Sequence, residues 1–217
     1  MNIITSIEPR RRMRGAYVLE LDDGRRLNLH EEVIVKNKLH VGLELDPKRL
    51  AEWIYEADIK LAYDRALTYL SYRSRSRKEL ADYLAKKEYS KRVIEAVIEK
   101  LVDYKFIDDQ GFAQRWVRDR TSGKPVGKRY IENELRNKGI DQELIDQALA
   151  DIDPESEYNR ALVLGQKYFN RHKDLEKQAL RGKIGQALMR RGFDWETTSR
   201  VINKLVSQLE DDDFDLY

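Results

Sequence analysis

A helical module is written three times along this chain, and that repetition limits the folds open to it. Residues 78–101 (KELADYLAKKEYSKRVIEAVIEKL) align without gaps on 129–152 (RYIENELRNKGIDQELIDQALADI), and both align on 182–205 (GKIGQALMRRGFDWETTSRVINKL). Leu80, Ile131 and Ile184 coincide, as do Leu84, Leu135 and Leu188. Tyr89, Ile140 and Phe193 form a third set, and Leu101, Ile152 and Leu205 a fourth. The period is about 50 residues, within the range of helical repeat arrays. Units of this kind stack on their neighbours in sequence, so the expected product is an elongated array of tandem three-helix repeats.

The first unit shows why each copy is trihelical. Leu61, Ala62, Ala66, Leu67 and Leu70 form one stripe. Leu80, Tyr83, Leu84 and Lys87 follow at i, i+3, i+4 and i+7, and Val93, Ile94, Val97, Ile98 and Leu101 make a third stripe. Short polar turns separate them. In the second and third copies a glycine (Gly139, Gly192) follows the middle helix, and an apolar residue follows the glycine. That is a glycine cap, with Ile140 or Phe193 packing back on the last turn. The first copy has Glu88 there, so its turn either closes differently or carries strain. The basic residues just ahead of the cap (Lys86 and Lys87, Lys138, Arg190 and Arg191) suit a helix C-terminus, where cations are favoured.

Ahead of the repeats lies a different kind of chain. Ala16–Leu21 alternates apolar and polar residues, Asp22-Asp23-Gly24 is a hairpin turn signal, and Arg25–His30 is the returning strand. Asn2–Ile7 alternates more weakly and is joined to the hairpin by a run holding Arg10, Arg11, Arg12 and Arg14. Residues 30–39 suggest a short helix broken by Gly42, and 41–45 a short strand. Asp46-Pro47 starts a helix as cap and first turn. The expected organisation is a β-hairpin element with a short helix over 1–45 and a connecting helix over 46–60. Three-helix repeats follow at 61–109, 110–155 and 156–209, then an acidic, disordered tail at 210–217 (EDDDFDLY).

Composition narrows the function. A chain of 217 residues can bury roughly 70% of its unfolded surface, which is enough for a stable core. It has no cysteine, so disulfide and thiolate chemistry are excluded. His30, His40 and His172 are scattered without metal-ligand spacing, and neither a phosphate loop nor a nucleophile motif is present. The expectation is a protein that is not an enzyme and needs no cofactor or metal. No apolar run approaches the 18 residues of a membrane span, and there is no basic-then-apolar leader, which points to a cytoplasmic protein without membrane contact.

Charge is distributed unevenly although the formal net value is only +2. Between Lys60 and Lys138 there are 20 Lys and Arg against 12 Asp and Glu, a local excess that favours a polyanionic partner. Cations recur between the first and middle helices of each repeat: Arg73, Arg75, Arg77 and Lys78, then Lys124, Lys128 and Arg129, then Arg171, Lys173, Lys177, Arg181 and Lys183. With a constant rotation between copies, these corners would align into a basic stripe. The last helices of the repeats are poor readers of base edges, since they carry Glu95 and Glu99, then Asp141, Glu143 and Asp146, then Glu196. Contact with backbone phosphates, independent of base sequence, is the mode that fits.

YLSYRSRSRKELADYL, then VIEAVIEKLVDYKFIDDQGFAQRWVRDR, then GKRYIENELRNKGI, in that order, resemble the RecX family of bacterial recombination regulators over about residues 60–209. The matching residues, among them Leu70, Ser71, Ser76, Glu79, Phe106, Ile107, Asp108, Asp109, Phe112, Ala113 and Trp116, resemble fold determinants of that family. The resemblance implies a non-enzymatic cytoplasmic protein that binds the RecA–DNA filament and modulates, usually inhibiting, its ATPase, strand exchange and co-protease activities. A monomer is the expected state, with the sequence itself leaving oligomerisation open. It also implies that single- or double-stranded DNA is contacted directly in some members. A stand-alone DNA-binding repeat protein is the competing expectation.

Overall fold

The computed structural model describes residues 2–11 and 15–212 and divides into two compact units, Met1–Asp108 and Asp109–Tyr217. In the first unit, Asn2–Pro9 (β1), Ala16–Leu21 (β2), Arg26–His30 (β3) and Glu44–Leu45 (β4) make an antiparallel sheet ordered β3-β2-β1-β4. The β2–β3 turn closes as its Asp-Asp-Gly sequence demands, with Gly24 at φ +79° and its N–H donated to the Leu21 carbonyl at 2.9 Å. Alternate residues Leu19, Leu21, Leu29 and Ile4 point to one face and are buried with Val33, Leu45 and Leu50. The short helix Glu31–Lys36 (α1) is capped by His30, whose Nδ1 accepts the Glu32 N–H at 3.2 Å. The other ring nitrogen of this buried histidine lies 3.3 Å from Asp64 and ties the sheet to the helix above it.

That helix, Pro47–Tyr72 (α2), is capped by Asp46 with Pro47 in its first turn. It is continuous, so the connecting helix expected over 46–60 and the first helix of the first repeat are one element. Its N-terminal part buries Leu50 and Ala57 against the sheet, and its C-terminal part buries Ala62 and Ala66 in the first repeat. Arg77–Ala85 (α3) begins with a capping box in which Ser76 and Glu79 exchange side-chain and backbone bonds. Lys91–Asp103 (α4) completes the bundle.

The second unit holds two further trihelical bundles. Asp109–Ser122 (α5), Lys128–Asn137 (α6) and Gln142–Ala150 (α7) form one. Pro154–His172 (α8), Lys177–Arg190 (α9) and Trp195–Asp212 (α10) form the other. The repeat predicted from alignment is realised in packing. Leu80, Ile131 and Ile184 are each 0% exposed, as are Leu84, Leu135 and Leu188, so equivalent positions do the same work in each copy. Helix α10 runs to Asp212, which makes the first three residues of the acidic tail helical; the remainder of that tail, and Arg12 and Arg14 of the basic run, lie outside the described residues.

All three middle helices end alike. The C-terminal turns of α3, α6 and α9 place Glu88, Gly139 and Gly192 at φ +66°, +73° and +79°. The next residue's N–H then returns to the middle helix, from Tyr89 to Leu84, Ile140 to Leu135 and Phe193 to Leu188. Glu88 thus adopts the geometry that favours glycine and bears the strain. A left-handed L-residue costs about 1–2 kcal/mol, while glycine returns part of that as unfolded-chain entropy. Glu88→Gly should therefore raise the unfolding free energy by about 0.5–1 kcal/mol in urea denaturation. A loss of stability would mean that Glu88 makes contacts worth more than its strain.

Candidate nucleic-acid interface

In the first unit the α2–α3 corner holds its arginines by local bonding. Arg73 is paired with Glu79 at 2.9 Å and also donates to the Ser74 carbonyl at 3.0 Å. Glu79 is the third-position partner of the Ser76 cap in the α3 capping box, so Arg73 braces the cap. The Arg75 guanidinium lies 4.2 Å over the Tyr69 ring, which stacks on Tyr83 with centroids 4.0 Å apart and planes 3° from parallel. Lys87 Nζ lies 5.8 Å from the Tyr83 ring centroid. These cations close an aromatic stack belonging to the fold itself. Arg77 and Lys78, in the first turn of α3, have exposed side chains.

In the second unit the α5–α6 loop carries exposed Lys124 and ends at buried Gly127. The Lys128 N–H donates to buried Glu157 of α8 at 2.8 Å. The Gly127 N–H donates to the Arg191 carbonyl at 2.9 Å, and the Arg129 N–H to the Gly192 carbonyl at 3.2 Å. The start of α6 is thus seated on the turn between α9 and α10. Glycine is required on both sides. A Cβ on Gly127 would come 2.5 Å from the Gly192 carbonyl carbon, and one on Gly192 would come 2.6 Å from Tyr130 Cβ.

This seating changes the expected stripe. Within the second unit the first-to-middle corner of one repeat meets the middle-to-last turn of the next, so the equivalent corners do not superpose. Arg181 donates to Asn203 at 2.8 Å and Lys183 is exposed, both on α9. Ten residues of helix, about 15 Å, separate Arg181 from Arg191. The cations brought together are instead Lys124, Lys128 and Arg129 with Arg190 and Arg191, of which Lys128 is half-buried and the others are exposed. Sequence reasoning assigned Arg190 and Arg191 to helix capping and passed over Trp195, which is 69% exposed at the start of α10. Chain spacing gave no sign of the junction, because it joins residues more than sixty positions apart. Only the coincidence of Gly127 in one repeat's loop with Gly192 in the next repeat's cap hinted at close approach.

Trp116 belongs to the core side, stacked on Phe112 with ring centroids 5.6 Å apart. Its indole N–H donates to Glu134 at 2.9 Å, and Arg120 binds the same carboxylate at 2.6 Å while lying 4.3 Å over the indole. Hydrogen bonding to Glu134 raises the Arg120 pKa above its ordinary value. A cleft of about 560 Å³ beside α5 and α8 brings Arg118 and Arg160 against Asp151 and Asp153, so it presents both signs. Burial lowers the Arg160 pKa, opposed by nearby Glu157 and Asp153. Among the described residues no cluster of His, Cys, Asp and Glu is arranged to hold a metal, and no helix is long and apolar enough to cross a membrane.

Three family models match in succession: the first three-helix domain of RecX over residues 62–101, the second over 108–149 and the third over 155–202. The regulatory protein RecX of Bacillus subtilis (strain 168) is 35% identical over 214 residues, covering 98% of this chain and 80% of that protein. The corresponding protein of Bacillus cytotoxicus is 28% identical over 97% of this chain and 80% of its own length. A crystal structure of regulatory protein RecX superposes with a TM-score of 0.71 at 29% identity, covering 94% of this chain and 100% of that one. That of RecX from Lactobacillus salivarius does so with a TM-score of 0.64 at 31% identity, covering 68% and 96%. The matches follow the repeats in order and span the sheet as well as the bundles, and on this ground the chain belongs to the RecX family.

Proposed function

We propose that this chain regulates the RecA recombinase by binding the RecA–DNA filament and lowering its ATPase, strand-exchange and co-protease activities. It acts as a monomeric, non-catalytic binder in the cytoplasm. Membership of a family whose relatives are named regulatory proteins supports this reading, and one observation carries it: the α5–α6 loop and the α9–α10 turn are locked backbone to backbone, which concentrates exposed cations on rigid structure. Three tandem modules offer several weak contacts to a repeating polymer. Linked contacts of that kind raise avidity by roughly 10²–10⁴ over any one of them. A protein that bridges neighbouring protomers resists the rotations that accompany ATP turnover.

The test is RecA ATPase on single-stranded DNA with rising amounts of the chain. The rate should fall toward a plateau at substoichiometric ratios of chain to RecA. The apparent affinity should fall as salt rises, by about 0.7–0.9 log units per log unit of salt for each phosphate contacted. An unchanged ATPase at equimolar protein refutes the proposal. The basic junction also supports a second reading, a DNA-binding protein that acts without RecA. Mobility shifts of duplex and single-stranded DNA with and without RecA separate the two, since the second reading requires full binding in its absence.

A further inference from the structure

We infer that Trp195 and the arginines around it form a single-stranded nucleic-acid site, in which the indole stacks an unpaired base while Arg190, Arg191 and Arg129 hold the flanking phosphates. The inference names the nucleic-acid contact within the filament-binding reading and rests on it for its biological setting only.

Four observations converge. First, Trp195 is 69% exposed, an unusual fate for the largest apolar side chain. Second, among the described residues it lacks the stacked cation that several other rings have. Several rings elsewhere in the molecule carry a protein cation: Arg92 lies over Tyr55 at 4.2 Å, Lys100 over Tyr63 at 4.7 Å, Arg75 over Tyr69 at 4.2 Å and Arg200 over Tyr158 at 3.8 Å. Among the described residues, Trp195 has no cation or ring stacked on it. Third, the position is rigid. Asp194 caps α10 by accepting the Thr197 N–H at 2.7 Å, and Phe193, wholly buried, anchors the turn from below. Thr198, one helical turn beyond Trp195, reaches Met189 Sδ at 3.8 Å and brings the partly exposed Met189 beside this surface. Fourth, the surroundings are basic. Arg190 and Arg191 precede the turn, and Arg129 is held to it by the bond to the Gly192 carbonyl.

The carboxylates here offset that field only in part. Glu157 accepts the Lys128 N–H and Asp194 accepts the Thr197 N–H, each keeping its charge, against Lys128, Arg129, Arg190 and Arg191. Glu196 remains as the exposed opposing charge. An exposed aromatic face at a turn that carries Arg190 and Arg191 and holds the Arg129 backbone matches the stacking platform and phosphate track of sequence-tolerant single-strand binding. Duplex DNA keeps its bases stacked on one another and offers no face to the indole.

Fluorescence anisotropy with labelled oligothymidylate, and with an abasic oligomer of equal length, tests the site without RecA present. Trp195→Ala should bind oligothymidylate about tenfold more weakly than the unaltered chain, while Trp195→Phe, which keeps a π face, stays within about threefold. On the abasic oligomer the unaltered chain and Trp195→Ala should bind equally. Arg190→Glu with Arg191→Glu should weaken binding to both oligomers. Circular dichroism of each variant should match the parent, since these side chains are exposed. Equal binding of oligothymidylate by Trp195→Ala and the parent overturns the inference, as does an equal loss on the abasic oligomer. Loss of RecA regulation by Trp195→Ala with unchanged oligonucleotide binding also overturns it and assigns the indole to a protein partner. Because these titrations omit RecA, a chain that binds oligonucleotide through Trp195 yet leaves the ATPase untouched refutes the filament reading alone.

Discussion

Replacing Gly192 by Ala should cost the second unit about 3 kcal/mol or more and uncouple its two bundles. Two penalties combine. At φ +79° an L-residue loses about 1–2 kcal/mol relative to glycine. The new Cβ would also sit 2.6 Å from Tyr130 Cβ and 2.8 Å from its Cα, with the Tyr130 amide nitrogen closer still. Those atoms belong to the first turn of α6 and cannot rotate away. The turn must withdraw, which breaks the bonds from Gly127 to Arg191 and from Arg129 to Gly192. It also strands buried backbone groups, at about 1–3 kcal/mol each. Gly24→Ala provides the control, because it has the same φ of +79° and nothing within 4 Å of its added Cβ. It should lose only the conformational term. Gly182→Ala, within α9 and in open space, should gain about 1 kcal/mol from helix propensity. Urea denaturation ranks the three, and a Gly192→Ala loss no larger than that of Gly24→Ala would show that the junction yields without cost.

The contrast between those glycines also explains what could be read from the chain alone. Gly192 as a helix cap was legible, because the cap depends on residues within one turn: a glycine, the apolar residue after it and the helix before it. So were the trihelical repeats, since each stripe is local and the alignment of Leu84, Leu135 and Leu188 needs no knowledge of packing. The second role of Gly192, as a seat for α6, was not legible. It depends on Gly127 and Tyr130, which approach only after both bundles have formed. The basic residues divide in the same way. Arg73 and Arg75 looked like open cations because the sequence gives charge and spacing, but not the Glu79 carboxylate or the Tyr69 ring that engages each of them. Trp195 shares its helical register with Thr198 and Ile202, which are buried. It sits on the first turn of α10 between buried Phe193 and buried Thr198, and its exposure there is a property of the packed bundle.

Reversing Lys124, Arg129, Arg190 and Arg191 to Glu should weaken binding to a RecA–single-stranded DNA filament by about a hundredfold or more at moderate salt. All four side chains are exposed, so the change should leave the helical signal intact. Each cation that neutralises a phosphate releases about 0.7 of a counterion from a single strand, so removing four contacts should flatten the log-salt slope by about 3. The slope distinguishes phosphate contact from a protein surface more firmly than affinity does. A variant that binds weakly with an unchanged slope would place these residues against an acidic patch of RecA. Arg73 and Arg75 are the wrong residues for this experiment. Arg73→Glu would set a second carboxylate against Glu79 and loosen the cap of α3, while Arg75→Glu would remove the cation from the Tyr69 ring. Both should lower stability first and binding only as a consequence. Arg77→Glu with Lys78→Glu, exposed on the first turn of α3, asks the same question of the first unit. If that pair abolishes regulation while the four-residue reversal leaves both affinity and slope unchanged, the contact lies on the first repeat, and the basic junction of the second unit serves only to hold its bundles together.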